Sequence, residues 1–327
     1  MTKAAPTYSV PVVEDYPRTQ GQFDARFGTE DACRAYLTQL RWPDGFHCPK
    51  CGHRKSWPLR ASLFQCAACG RQSSVTAGTI FQDTRTPLPV WFRAMWYVAS
   101  RKTGTSALGL QQVLGFGSYE TAWTWLHKWR RAMVRPGRDR LRGRVEVDET
   151  YLGAEETDIR GRGAVSKTLI VVAAEHAGRG IGRIRLRRVP DASADSLQGF
   201  IDEVVERGSR VNTDGWTGYD RVKAHGYRHH ITFLRDHPKP AHELLPRVHL
   251  VISLLKRWLL GTHQGAVMPA HLDYYLDEFT FRFNRRRSRH RGKVFFRLVE
   301  QAVQVQPAPY HTLVKHVRRR RMPGHKI

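Results

Sequence analysis

The chain has 327 residues, room for two or three domains, and its 41% hydrophobic and 10% aromatic content excludes a disordered chain. Its 54 basic side chains against 29 acidic ones give a formal net charge of +25, which excludes a cationic partner and points to a polyanion whose neutralised phosphates release counterions. No run of about 18 apolar residues and no signal peptide stands out, so a membrane role is not expected and the chain reads as cytoplasmic.

Residues 1–22 carry Pro6, Pro11 and Pro17 without a long periodic pattern and read as an extended arm. Residues 23–80 read as a short helix followed by a metal module. In the helix, Cys33, Tyr36, Leu37 and Leu40 recur at helical spacing, which makes Cys33 a small core hydrophobe. The module holds Cys48-Pro49-Lys50-Cys51-Gly52 and Cys66-Ala67-Ala68-Cys69-Gly70. Each CxxC turn presents two thiolates to one tetrahedral ion, and the glycine after it lets the backbone fold under the metal. Four thiolates leave no open coordination position, so the expected zinc is structural. Arg54, Lys55, Arg60 and Arg71 make its surroundings basic.

Residues 81–135 read as helices over 89–102, 106–114 and 119–133, the last two separated by a short turn with Gly115 and Gly117. That is a helix-turn-helix pattern, with an ordinary helical hairpin as its alternative. In the second helix Tyr119 and Thr121 are candidates for base edges. Lys128, Arg130 and Arg131 are candidates for phosphates, and Trp125 and Trp129 are expected in the core. Residues 130–144 hold seven arginines and one aspartate, a basic linker.

From 136 to 290 the pattern becomes mixed α/β. Strands are expected over 144–148, 169–175, 184–189, 210–213 and 230–234, and helices over 194–206, 218–225, 248–260 and 271–284. Asp148 and Asp214 each stand where a strand is expected to end. Two carboxylates on neighbouring strands can hold divalent ions for phosphoryl transfer, and hard oxygen ligands favour magnesium or manganese. Strand-end aspartates that serve only turns are the alternative. His249 is the candidate third ligand, with Lys256 two turns on and on nearly the same face to meet a phosphate. Glu243 is a substitute candidate expected outside the helix, and Glu146 and Glu149 are possible supports beside the ligands. Residues 282–321 contain thirteen Lys or Arg and one acid, Glu300, so Arg285, Arg286 and Arg287 are expected on DNA and 291–327 reads as a basic tail.

Together these residues resemble the bacterial insertion-sequence transposases of the DDE class that carry an N-terminal zinc ribbon and an RNase H-like catalytic domain. The carriers are the CxxC pairs, Val147-Asp148-Glu149-Thr150-Tyr151-Leu152-Gly153, Thr213-Asp214-Gly215-Trp216-Thr217-Gly218-Tyr219, the His249-to-Lys256 helix, Gly261-Thr262-His263, the run from His271 to Phe279, and Arg282-Phe283-Asn284-Arg285-Arg286. The resemblance implies an RNase H-like sheet and two magnesium ions held by acidic residues. It implies end cleavage followed by strand transfer of a freed 3′-hydroxyl to target DNA, by a homo-oligomer working on double-stranded DNA at the bacterial nucleoid. Asp148 and Asp214 match the first two acidic positions. His249 stands where Glu is usual, and Lys256 matches the basic residue that follows it. The His keeps open a second expectation, a catalytically inactive or domesticated relative that only binds DNA. A plain nuclease of the same fold is a third.

Overall fold

The computed structural model describes residues 14–60, 63–135, 137–153, 167–233, 237–265 and 267–315, in two compact units. One comprises residues up to 133 together with 288–313, the other 134–287 together with the residues from 314.

In the first unit, helices α1 (Gln20–Arg26) and α2 (Glu30–Arg41) start on Thr19 and Thr29, whose hydroxyls accept the Gln22 and Ala32 amides. Strands β1 (Ser56–Pro58), β2 (Leu63–Cys66) and β3 (Gln72–Ser74) form a small antiparallel sheet. Helix α3 (Leu88–Ser100) is apolar on most sides and fills the centre of the unit with Trp91, Phe92, Met95 and Val98. Helices α4 (Ala107–Leu114) and α5 (Tyr119–Ala132) pack on each other across a turn that begins with Gly115 at φ +65°, the left-handed conformation that ends α4. Trp125 of α5 stacks on Trp91 with ring centroids 3.6 Å apart, and Trp129 is buried beside it, as their spacing predicts.

The second unit is built on a five-stranded sheet. Its strands are β4 (Arg144–Leu152), β5 (Thr168–Ala177), β6 (Gly180–Arg188), β7 (Arg210–Thr213) and β8 (Arg228–Ile231), in the order β6-β5-β4-β7-β8. The first three form an antiparallel meander, and β7 and β8 run parallel to β4. This is the RNase H-like mixed sheet that the sequence led us to expect. Helix α6 (Ala194–Val204) covers one face, where Val145, Val147, Val171, Phe200 and Val211 form one core. The other face meets helices α8 (Pro246–His263) and α9 (Leu272–Asn284), introduced by the single turn α7 (Ala241–Leu244), over Ile170, Val172, Leu186, Val251 and Phe279.

The chain then returns to the first unit as α10 (Arg291–Ala302) and the greater part of α11 (Tyr310–Lys315). The segment expected as a basic tail from 291 is therefore packed over its first half. Val294, Phe295, Leu298, Val299 and Ala302 lie on one face of α10 and are buried, while Arg291, Lys293 and Arg297 lie outside that stripe. The arm is also docked where it is described. Glu14 pairs with Lys293 and Arg297, the Tyr36 hydroxyl donates to the Asp15 carbonyl, and the backbone of Pro17 passes so close to Gly292 that no side chain fits there. Residues 1–13 lie outside the described residues.

Two further expectations differ. The helix expected over 218–225 is a 3-10 turn at Thr217–Tyr219 followed by more turns, because its amides bond three residues back, Asp220 to Thr217 and Val222 to Tyr219. Strand β8 spans Arg228–Ile231 rather than 230–234, and Leu234 lies outside the described residues. Among the described residues no helix is long and apolar enough to cross a membrane.

Candidate active site

Strands β4 and β7 pair with a constant offset of 66 residues, Arg144 opposite Arg210 and Glu146 opposite Asn212. The pairing ends there, two residues before Asp148 on β4 and two before Asp214, which follows the last residue of β7. Side chains alternate along a strand, so Val145 and Val147 enter the core under α6 while Glu146 and Asp148 face α8, beside their β5 partners Ala174 and Val172. Asp148 and Asp214 both lie near enough to the Tyr219 phenol for their charges to act on it.

Asp148 is not at the end of its own strand, as expected, but in its middle. β4 continues to Leu152 because β5 pairs with it throughout. The neighbouring strand β7 is the one that stops, after Thr213, while Asp148 is buried. Asp214 does follow a strand end. Its Oδ1 accepts the Trp216 amide at 3.1 Å, a turn that holds the carboxylate.

Helix α8 supplies the third group. His249 Nε2 lies 3.7 Å from Asp148 Oδ2, is buried, and has no hydrogen-bond partner. Burial lowers the His249 pKa, opposed by the Glu146 charge and reinforced by His242, a shift toward the neutral ring that a metal ligand requires. Two carboxylates with one imidazole make a donor set that fits a hard divalent ion, with one ligand softer than usual. The set is more open than the cysteine site, which among the described residues is the one group of three or more whose ligand atoms all lie within 4.8 Å of one another. Lys256 is exposed on α8, about 10 Å along the axis from His249. Glu243 is exposed on the separate turn α7, outside the α8 helix, as expected.

Glu146 and Glu149 point to opposite faces of β4 and are both engaged. Glu146 is buried, and its Oε2 accepts the Arg247 and Val248 amides at 2.7 and 3.0 Å. These are orphan donors of the first turn of α8, which has no side-chain cap of its own. Its Oε1 meets His176 Nε2 at 2.8 Å and Arg247 Nη1 at 3.3 Å. Glu149 accepts the buried Tyr219 hydroxyl at 2.7 Å, and burial followed by the Glu149 and Asp148 charges keeps that phenol protonated. Neither His176 nor Tyr219 was singled out as a partner from the sequence, because both pairings join segments distant in the chain.

The cysteines gather as their spacing predicts. Cys48 and Cys69 sulfurs are 3.6 Å apart, Cys51 and Cys66 sulfurs 3.5 Å, close to the roughly 3.8 Å edge of a tetrahedron with zinc–sulfur bonds of about 2.3 Å. Both turns close alike, with Gly52 donating to the Cys48 carbonyl and Gly70 to that of Cys66, each glycine at positive φ. This quartet supports a structural zinc.

The expected DNA contacts divide. Tyr119 is exposed at the start of α5, with Thr121 and Arg131 half-buried. Lys128 is half-buried, its ammonium 5.6 Å from the Trp91 ring centroid, and burial and then Arg131 lower its pKa. Arg130 is buried with His127 Nε2 3.1 Å away, because it falls on the stripe of Ala122, Trp125, Leu126 and Trp129 that faces the core. It does not stand on a surface where phosphate could reach it. Arg286 is likewise engaged. Its guanidinium donates to the Ile181, Gly182 and Phe283 carbonyls and so covers the free edge of β6. Arg285 lies 3.9 Å over the Phe281 ring, and Arg287 is exposed.

Residues 140–284 match the ISXO2-like transposase domain, and residues 28–72 match the transposase zinc-ribbon domain. The chain is also similar to an uncharacterised protein in transposable element ISH50 of Halobacterium salinarum, 27% identical over 213 residues, which is 59% of this chain and 70% of that protein.

Proposed function

Because the chain belongs to the insertion-sequence DDE transposases that join a zinc ribbon to an RNase H-like domain, we propose that it binds the ends of its element and performs magnesium-dependent end cleavage and strand transfer. The observation that carries this is His249 Nε2 3.7 Å from Asp148 Oδ2, on a strand whose parallel neighbour β7 leads straight into Asp214. Asp148 and Asp214 would supply the oxygen ligands and His249 the third. Divalent ions bound there would activate the attacking oxygen and stabilise the leaving one. Lys256, exposed two turns along α8, meets a phosphate of the same strand. Ribbon and helix-turn-helix grip the duplex, through Tyr119 and Thr121 at base edges and Lys128, Arg131, Arg285 and Arg287 at phosphates. The working form is a homo-oligomer on double-stranded DNA, both element end and target, at the nucleoid.

The test is a magnesium-dependent joining assay with the element's own ends. Asp148→Asn and Asp214→Asn are expected to abolish joining while end binding, measured by gel shift, stays within about threefold. Joining that survives both changes, or binding lost equally in both, overturns the assignment. A second reading, a DNA-binding relative without catalysis, is favoured by the neutral imidazole at position 249. It predicts that the natural protein joins nothing and that His249→Glu gains activity. Under the first reading the natural protein joins and His249→Ala does not.

A further inference from the structure

One residue past Asp214, a phenylalanine lies on the backbone where the carboxylate chemistry has no use for it. Strands β7 and β8 pair from Arg210 opposite Arg228 to Thr213 opposite Ile231, and Thr232 then donates to the Thr213 carbonyl at 2.9 Å. The same offset puts Phe233 level with Gly215. A Cβ on Gly215 would come 2.6 Å from ring atom Cδ1 and 3.0 Å from Cε1 of Phe233, so the missing side chain is what lets the ring rest there. Yet Phe233 is 67% exposed, while Phe200, Phe279, Phe281 and Phe283 of the same unit are all buried.

A single exposed apolar residue is ordinary, and exposure alone would carry nothing. The place of this one does. It lies two residues past the end of edge strand β8 and against Gly215, the residue after Asp214, which would face the reacting phosphate, in a chain of net charge +25. Arg228 and His230, exposed on the same strand, add donors along that edge. An aromatic ring beside a phosphodiester site has one natural ligand on the polymer, because every nucleobase offers a π face. Such stacking contributes about 1–3 kcal/mol per base. A base that is already unpaired is the least costly to draw out of its stack.

We propose that Phe233 is a stacking platform for one unpaired nucleobase next to the phosphate held at Asp148 and Asp214, and so helps to fix which bond is cut. This rests on the transposase reading and adds a nucleotide subsite to it. The experiment measures single-turnover cleavage by the full chain on element ends that are intact or carry an abasic nucleotide at each position flanking the cleaved bond. Phe233→Ala is expected to slow cleavage of the intact end about 5- to 150-fold, the range that corresponds to the stacking contribution. Phe233→Trp is expected to restore the rate. At one abasic position the natural protein and Phe233→Ala should cleave at the same rate, since no base is left to stack. The ring is exposed, so its loss should not shift the melting temperature. If the natural protein cleaves and Phe233→Ala cleaves equally well on every substrate, the platform is overturned. A defect of the same size at every abasic position also overturns it. If the natural protein cleaves nothing, the transposase reading itself has failed.

Discussion

Glu146 sits two residues before Asp148 on the same face of β4 and closes the first turn of α8, the helix that carries His249. A carboxylate is well matched to that position. The positive end of the helix dipole and two orphan amides converge on its Oε2, while His176 and Arg247 take up Oε1. Removing the charge leaves those donors facing a group that accepts at only one atom. Glu146→Gln is therefore expected to cost about 2–4 kcal/mol in urea unfolding of the full chain. A local readout separates this role from a general packing defect: the Arg247 and Val248 amides should exchange with solvent faster than those of the middle of α8. Unchanged protection at Val248 would show that the helix start does not depend on Glu146. Nothing in the sequence signalled the contact, because it links residues a hundred positions apart. By contrast, Asp148 and Asp214 could be singled out from the sequence, since each follows an apolar strand pattern, although β4 runs on past Asp148 to Leu152.

Among the elements, the ribbon, α2, α5 and the strands of the sheet were readable because each repeats a period or a spacing that chemistry fixes. CxxC turns need their glycines, strands alternate, and helices repeat every three or four residues. Helix α10 was misread because its arginines were counted before its phase was. Phe295 is fully buried, with ring centroids 5.5 Å from Phe23, 5.7 Å from Phe27, 5.7 Å from Phe92 and 5.6 Å from Trp96. It joins α10 to α1 and α3, so the C-terminal helix is part of the core of the first unit. Phe295→Ala is expected to destabilise that unit by about 3–5 kcal/mol through lost burial and a residual cavity. Arg289→Ala, at an exposed position, should change stability by no more than about 0.5 kcal/mol. Denaturation followed by tryptophan fluorescence reports on the first unit through Trp91 and Trp96. Equal stability of the two variants would mean that α10 behaves as the tail that its charge suggested.

Over the whole molecule the net charge of +25 overstates what DNA can use. Burial lowers the Arg41 pKa to about 10 and, helped by Arg138 and Arg183, that of Arg185 to about 9. Arg41 donates to the Ser74 and Val75 carbonyls, Arg185 to those of Ile184 and Asp139, and Arg130 and Arg286 are similarly taken up inside the fold. Composition cannot distinguish a guanidinium that braces backbone carbonyls from one that waits for phosphate, because both are one letter in the sequence. Salt dependence can. Each phosphate neutralised on duplex DNA adds about 0.9 to the slope of log K against log salt. Replacing exposed Lys256 or Arg287 by Ala should each lower that slope by about 0.9 and weaken binding similarly on any sequence. Arg286→Ala should leave the slope unchanged while loosening the β6 edge, seen as faster amide exchange in β6. A slope that falls as far for Arg286 as for Arg287 would mean that the β6 carbonyls release this arginine when DNA binds. A flat salt response in the natural protein would remove the electrostatic basis for DNA binding altogether.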